Sequence, residues 1–131
     1  MRTVLLDTQI ALWLLADSPR LPKQLRSATE SETDICWVFH QVSLWELQIK
    51  YSIGKLPLPD SPEKYLPEAI SSAGFEERTI ENDGIFFLDK LPNHHSDPFD
   101  RLLISHVMIN GWEAASVDAQ WEKYPIRIFK G

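Results

Sequence analysis

Arg2-Thr3-Val4-Leu5-Leu6-Asp7-Thr8-Gln9-Ile10-Ala11-Leu12-Trp13-Leu14-Leu15-Ala16 opens as a strand and closes as a helix. Arg2–Leu6 has the length and apolar content of a short strand. From Thr8 to Ala16, Ile10, Ala11, Leu14 and Leu15 recur at helical spacing. Asp17-Ser18-Pro19 ends that helix.

The same alternation continues outward. Pro22–Ser31 predicts a helix with proline near its first turn, where proline is tolerated. Ile35–Phe39 is an unbroken apolar run, as expected of a fully buried strand. Ser43–Tyr51 predicts a helix closed by Gly54. Pro57, Pro59 and Pro62 mark a loop leading to a helix that ends near Ser72 and Gly74. Phe75–Thr79 follows as a strand and Glu81–Leu88 as a short helix. Pro98–Asn110, with Gly111 just past it, is the clearest helix of the chain. Glu113–Val117 and Ile126–Phe129 close it as strands with a short helix between them. Strands separated by helices pair in parallel through crossovers, so the fold class is α/β, a mainly parallel central sheet flanked by helices. Active sites in such sheets form beyond the carboxyl ends of the strands.

Bulk properties narrow the class further. At 131 residues the chain has the size of one domain, 1–131, and 44% hydrophobic residues with five tryptophans suffice for a core. Apolar runs such as Ile10–Ala16 fall well short of the ~18–20 residues of a membrane span. Met1–Asp7 is too short and too soon acidic for a signal peptide. The single Cys36 excludes an internal disulfide, and its apolar surroundings suggest a small buried residue. A cytoplasmic protein without a membrane partner is the expectation. Thirteen basic and nineteen acidic residues give a net charge of −6, against extensive contact with a nucleic-acid backbone. Four of those acids belong to the site proposed next, and bound cations would offset them.

Asp7 follows the first strand and precedes a helix, which places it at the carboxyl edge of the sheet. Asp118 follows the strand containing Ala114, Ala115, Ser116 and Val117 in the same way. Helix N-capping accounts for either residue alone. Asp100 stands apart, because it shares a helical face with Leu103, Ile104 and Val107. A carboxylate on an apolar face needs a cation, a hydrogen-bond network or a proton. Asp97-Pro98 supplies the cap and first position of that helix, leaving Asp100 for the site. Ser43-Leu44-Trp45-Glu46 has the form of a capping box, which explains Glu46 in isolation. Hard divalent cations such as Mg²⁺ and Mn²⁺ prefer oxygen ligands, and a pair of them can drive phosphodiester hydrolysis without a covalent nucleophile.

With their neighbours, these residues resemble the PIN-domain family, and within it the VapC-type toxins of bacterial toxin–antitoxin pairs. Leu5-Leu6-Asp7-Thr8 with Ala11-Leu12-Trp13 is similar to the first acidic motif of the family. Ser43-Leu44-Trp45-Glu46, continuing through Ile49-Lys50 to Gly54-Lys55-Leu56, resembles the second. His95-Ser96-Asp97-Pro98-Phe99-Asp100-Arg101 with Leu103-Ile104 resembles the third, and this string is unusually specific. Ser116-Val117-Asp118, with Trp121 and Tyr124, resembles the fourth. The resemblance implies a PIN-like three-layer sandwich and an endoribonuclease dependent on one or two Mg²⁺ or Mn²⁺ ions. It also implies a homodimer and a cognate antitoxin that blocks the site. Asp7, Glu46, Asp100 and Asp118 match its acidic site, with Asp7 and Asp100 as principal ligands and Thr8, Ser116 and Asp97 in support. The chain departs from the family at Gln9, at Ser105-His106-Val107 and at Gly111-Trp112-Glu113-Ala114. These departures bear on substrate preference and helix packing, not on the acids.

Other residues have competing readings. His94-His95 is a weak metal motif, since adjacent side chains seldom reach one ion and no further His or Cys has ligand spacing. His95 is expected to hydrogen-bond near the Asp97 turn or to touch substrate. Arg101 is assigned to phosphate or to a neighbouring acid. Lys50 and Lys55 are either a basic rim or solvated surface. Trp13, Trp37 and Trp45 are expected in core or interface. Two other functions compete with RNA hydrolysis: a catalytically silent PIN-like interaction module and a phospho-accepting, receiver-like signalling domain. Thr8, rather than a second acid after Asp7, argues against the receiver.

Overall fold

A computed structural model describes residues 1–130. Strands β1 (Arg2–Leu6), β2 (Ile35–His40), β3 (Glu76–Arg78), β4 (Glu113–Ala115) and β5 (Arg127–Ile128) form one sheet in the order β3-β2-β1-β4-β5. Every pairing is parallel. The helices are α1 (Thr8–Leu15), α2 (Lys23–Ser31), α3 (Gln41–Ser52), α4 (Pro62–Ser72), α5 (Asn82–Phe86) and α6 (Pro98–Asn110). The chain moves outward from β1 through β2 to β3, then restarts on the other side with β4. The order therefore reverses at β1 and β4, and the crevice beyond their carboxyl ends is where an open α/β sheet binds ligands.

Strand alternation explains the three layers. Val4 and Leu6 of β1 point to one face, where they join Ile10 of α1, Leu25 of α2 and Leu66 and Ile70 of α4. Leu5, between them, points to the other face and joins Leu102, Leu103, Ile104 and Val107 of α6. All three β1 side chains are fully buried. Burying a leucine contributes about 2 kcal/mol, so a one-residue slip of β1 is strongly opposed.

Several boundaries differ from the sequence expectation. Helix α3 begins at Gln41, not Ser43, because the ring of His40 caps it by accepting from the Val42 amide at 3.1 Å. Ser43 lies inside the helix, fully buried, so the capping box does not form. Pro22 is the N-cap of α2 rather than its first residue. The last two strands are shorter than expected, and a single 3-10 turn, Trp121–Lys123, separates them. Another 3-10 turn, Phe87–Lys90, extends α5. Cys36 is only half-buried; its thiol faces the Glu76 carboxylate, and burial with that contact pushes it up to about 11.

Among the departures from the family pattern, His106 now has a packing role. Its Nδ1 donates to the Leu102 carbonyl at 2.8 Å, and its Nε2 accepts from the Glu81 amide at 2.9 Å. The ring thus ties α6 to the segment entering α5. Of the tryptophans, Trp37 is buried, Trp13 is half-buried against the first core, and Trp45 is half-exposed, edge-on to Phe99. Among the described residues, no helix is long and apolar enough to cross a membrane.

Candidate active site

Asp7 is the first residue after β1 and the N-cap of α1, where its Oδ1 accepts from the Ile10 amide at 2.7 Å. Its other oxygen accepts from the Ser116 hydroxyl. Asp7 therefore caps α1 through one oxygen, while its other oxygen is held by the loop after β4. Asp7 is 5% exposed, and burial pushes its carboxyl up to about 6, against the opposing effect of the Ser116 and Ile10 hydrogen bonds. Asp118 and Glu46 add like charge.

Asp100 is the third residue of α6. Asp97 caps that helix, with Oδ1 accepting from the Phe99 and Asp100 amides at 2.8 and 3.1 Å. Leu103, Ile104 and Val107 are all fully buried, so the face that Asp100 continues is a core face. Burial is the main cause that raises its carboxyl to about 7, and Asp97, Glu46 and Asp7 add repulsion that His95 partly offsets.

Glu46 projects from α3, 7% exposed. Its Oε2 pairs with Lys50 at 2.8 Å, while its Oε1 is buried without a hydrogen-bond partner among the described residues. Asp118 lies three residues beyond β4. Its Oδ1 accepts from the Gln120 amide at 2.9 Å, and its own amide donates to Ser116 Oγ at 3.1 Å. Ser116 thus links the loops after β1 and β4. Thr8 Oγ1 and Ser43 Oγ lie 2.9 Å apart and join α1 to α3 beneath the acids. That pairing was hidden in the sequence, where Ser43 has the appearance of a cap.

Asp7, Glu46, Asp100 and Asp118 all line one cavity of about 420 Å³, together with Thr8, Gln9, Leu12, Lys50, Lys55 and Asp97. Four residues from four separate segments meet at the β1/β4 crevice. His95 contacts two of them. Its Nε2 lies 2.8 Å from Asp118 Oδ2 and 3.0 Å from Asp100 Oδ2, and Nδ1 accepts from the Asp97 amide at 3.1 Å. His94 points away, edge-on to the ring of Tyr124, so the two adjacent histidines do not share a ligand position. Arg101 reaches no carboxylate among the described residues; its Nη1 donates to the Pro92 carbonyl at 3.1 Å, and to the His95 carbonyl and Tyr124 hydroxyl at 3.5 Å.

A family model for the PIN domain matches residues 4–126. The chain belongs to the PIN-domain family. Solved structures place this PIN domain beside proteins of toxin–antitoxin complexes. VapBC2 from Rickettsia felis, bound to a promoter DNA fragment, aligns with a TM-score of 0.71 and 15% identity over 97% of both chains. DNA-bound VapBC from Salmonella typhimurium aligns with a TM-score of 0.71 and 18% identity over 98% of both. FitAcB from Neisseria gonorrhoeae gives 0.65 and 12% over 97% of this PIN domain and 96% of that chain. At such identities the likeness is one of fold. No curated protein sequence matches the chain.

Proposed function

We propose that this PIN domain is the toxin of a toxin–antitoxin pair, an endoribonuclease that hydrolyses RNA phosphodiester bonds with Mg²⁺ or Mn²⁺. The observation that carries the reading is the convergence of Asp7, Glu46, Asp100 and Asp118 on one cavity at the crevice of the sheet. The donor set suits a hard divalent cation, being carboxylate oxygen throughout. The unpartnered, buried Glu46 Oε1 fits the same group, since such an atom is costly without a partner. Asp7, Glu46, Asp100 and Asp118 would hold the metal, which when bound supplies charge for the phosphodiester and acidifies a coordinated water.

The chain's own groups do the positioning. Ile10 and Ser116 fix both oxygens of Asp7. Lys50 holds Glu46, and the Gln120 amide holds Asp118. Lys50 and Lys55 line the cavity and provide cationic contacts for the flanking phosphates of an RNA strand. The VapBC neighbours support an antitoxin partner, and the family resemblance supports a homodimer.

The test is cleavage of total RNA with mapping of the new ends, in Mn²⁺, in Mg²⁺ and in excess chelator. Cleavage with either metal and none with chelator is expected. Asp7→Asn, which keeps the cap oxygen, should lower the rate by at least about 10²-fold. Undiminished cleavage by a clean Asp7→Asn preparation would overturn the site. A protein that binds Mn²⁺ but cuts no RNA would favour the silent interaction module.

A further inference from the structure

His95 belongs to none of the four acidic positions, yet it makes closer contact with Asp118 and Asp100 than those acids make with any cationic side chain among the described residues. Its side chain is 12% exposed, too enclosed to present a broad surface to substrate. What it does depends on which ring nitrogen carries the proton. A histidine that ligates a metal through Nε2 leaves that nitrogen bare and donates its Nδ1–H to a carboxylate, carbonyl or water. Here the partner of Nδ1 is the Asp97 backbone amide, itself a donor, at 3.1 Å. Nδ1 must therefore accept, and in the neutral ring the proton sits on Nε2. A protonated Nε2 cannot ligate, but it can donate to Asp118 Oδ2, 2.8 Å away.

The backbone around the ring is anchored. The hydroxyl of Tyr124, a buried residue directly after the Trp121–Lys123 turn, accepts from the His95 amide at 2.9 Å and the His94 amide at 3.2 Å. Arg101 ties the Pro92 and His95 carbonyls to the first turn of α6. These attachments fix the backbone on either side of His95, and the Asp97 amide orients its ring. The Asp97 that caps α6 also fixes the tautomer of His95, through its amide rather than its side chain.

We infer that His95 is a positioning residue, not a cation ligand: its Nε2–H holds the Asp118 carboxylate and stands against Asp100, fixing the separation and orientation of two acids of the site. This rests on the metal-dependent reading above for its consequence, but not for its geometry. A donor bridging two carboxylates lessens their repulsion before a cation arrives, and leaves Asp100 Oδ1, and the lone pair of Asp118 Oδ1 not used by the Gln120 amide, to face one.

The experiment uses ¹⁵N-histidine-labelled full chain, at a pH well above the ordinary histidine range, with and without saturating Mg²⁺ as a diamagnetic probe. Long-range ¹H–¹⁵N spectra should show His95 with a bare Nδ1 and a protonated Nε2 in both states. A change to the Nδ1–H form on adding Mg²⁺ would make His95 a ligand and overturn the inference. In parallel, calorimetry should show His95→Phe binding Mg²⁺ or Mn²⁺ roughly 10-fold more weakly. His95→Gln, whose amide can place a donor near the same point, should recover most of that loss. Wild-type affinity in His95→Phe would also overturn it. If the Phe variant does not fold, the wild-type spectra and the Gln variant still decide. Metal binding and the tautomer without RNA cleavage would sink the nuclease reading and leave the clamp standing; cleavage with a ligating His95 would do the reverse.

Discussion

Asp7 is asked to do two things whose electrostatic demands conflict. As N-cap it is favoured as an anion, beside the Ile10 amide and the positive end of α1. As a buried acid beside Glu46 and Asp118 it is disfavoured as an anion, and burial prevails, raising it from 3.8 to about 6. Asp100 is raised further, to about 7, by the same cause. The linkage has a definite sign. Below the unfolded value both states of the chain hold the proton, and nothing is lost. Between 3.8 and about 7 the unfolded chain ionises while the folded chain resists, so folding stability falls as pH rises. These two carboxyls should therefore cost the metal-free protein stability across that window, whereas the buried His40, held down to about 3, contributes the opposite slope between about 3 and 6.5. The difference between urea midpoints of wild type and Asp7→Asn at successive pH values isolates the carboxyl effect. Asp7→Asn should gain on wild type as pH rises through the window and, at neutral pH without metal, be no less stable. A destabilised Asp7→Asn protein would show that the anion is already compensated. Adding Mn²⁺ should recover the wild-type loss and leave the variant nearly unchanged, because only the wild type keeps the full donor set. Saturation at a hundred times Kd adds about 2.7 kcal/mol.

Helix α6 shows how an element can serve the site at one end and the fold at the other. Its first turn carries Asp97 and Asp100; its third carries His106, packed against Gly84 of α5. A Cβ built on Gly84 would lie 2.4–2.8 Å from the His106 ring. That ring cannot swing aside without breaking its bonds to Leu102 and Glu81, and the tilted ring of His40 lies against it, centroids 4.4 Å apart. Gly84→Ala should therefore cost about 2–3 kcal/mol by overpacking. Combining it with His106→Ala should cost less than the sum of the single changes, as read from denaturation midpoints in a double-mutant cycle. Additivity would mean that α5 simply lifts away. This contact was not legible in the sequence, since Gly84 and His106 lie on different elements and neither has a distinctive neighbour. The start of α3 was obscured for a different reason: β2 passes into α3 without a loop, and the cap is a histidine rather than Ser, Thr, Asp or Asn. By contrast, Asp97-Pro98 at the head of α6 and Gly111 past its end mark that helix unmistakably, Gly111 at φ 68°. Asp7 and Asp118 were legible as strand-end positions and Asp100 as a helix-face position, while Glu46 read as part of a capping box and joined them only through association and motif resemblance. His95 was not legible as their partner, because its orientation depends on the Tyr124 hydroxyl and the Asp97 amide.

For the molecule as a whole, the unusual quantity is its charge. Under the proposed function, a chain at −6 must draw a polyanion to a cavity whose lining is itself acidic. Steering by a basic surface is thus a poor account of recognition, and attraction has to be local. Two lysines, Lys50 and Lys55, line the cavity, and Lys50 is already engaged with Glu46. Each phosphate neutralised by a side chain releases counterions, and for a single strand the logarithm of affinity falls with the logarithm of salt by about 0.7 per contact. With so few cationic contacts the slope should lie between about −0.7 and −1.4 at saturating Mg²⁺, far shallower than for a protein with a basic groove. A catalytically impaired Asp7→Asn chain is unsuitable for this measurement, since it alters the cation site. A non-cleavable RNA analogue with wild-type protein, titrated across monovalent salt by fluorescence anisotropy, reads the slope directly. Lys55→Ala should reduce it by about one contact, whereas Lys50→Ala should reduce it less, because that charge is shared with Glu46. A steep slope, unchanged by either substitution, would place the RNA on another surface. The cavity at the β1/β4 crevice would then be a cation site without being the place where the strand lies.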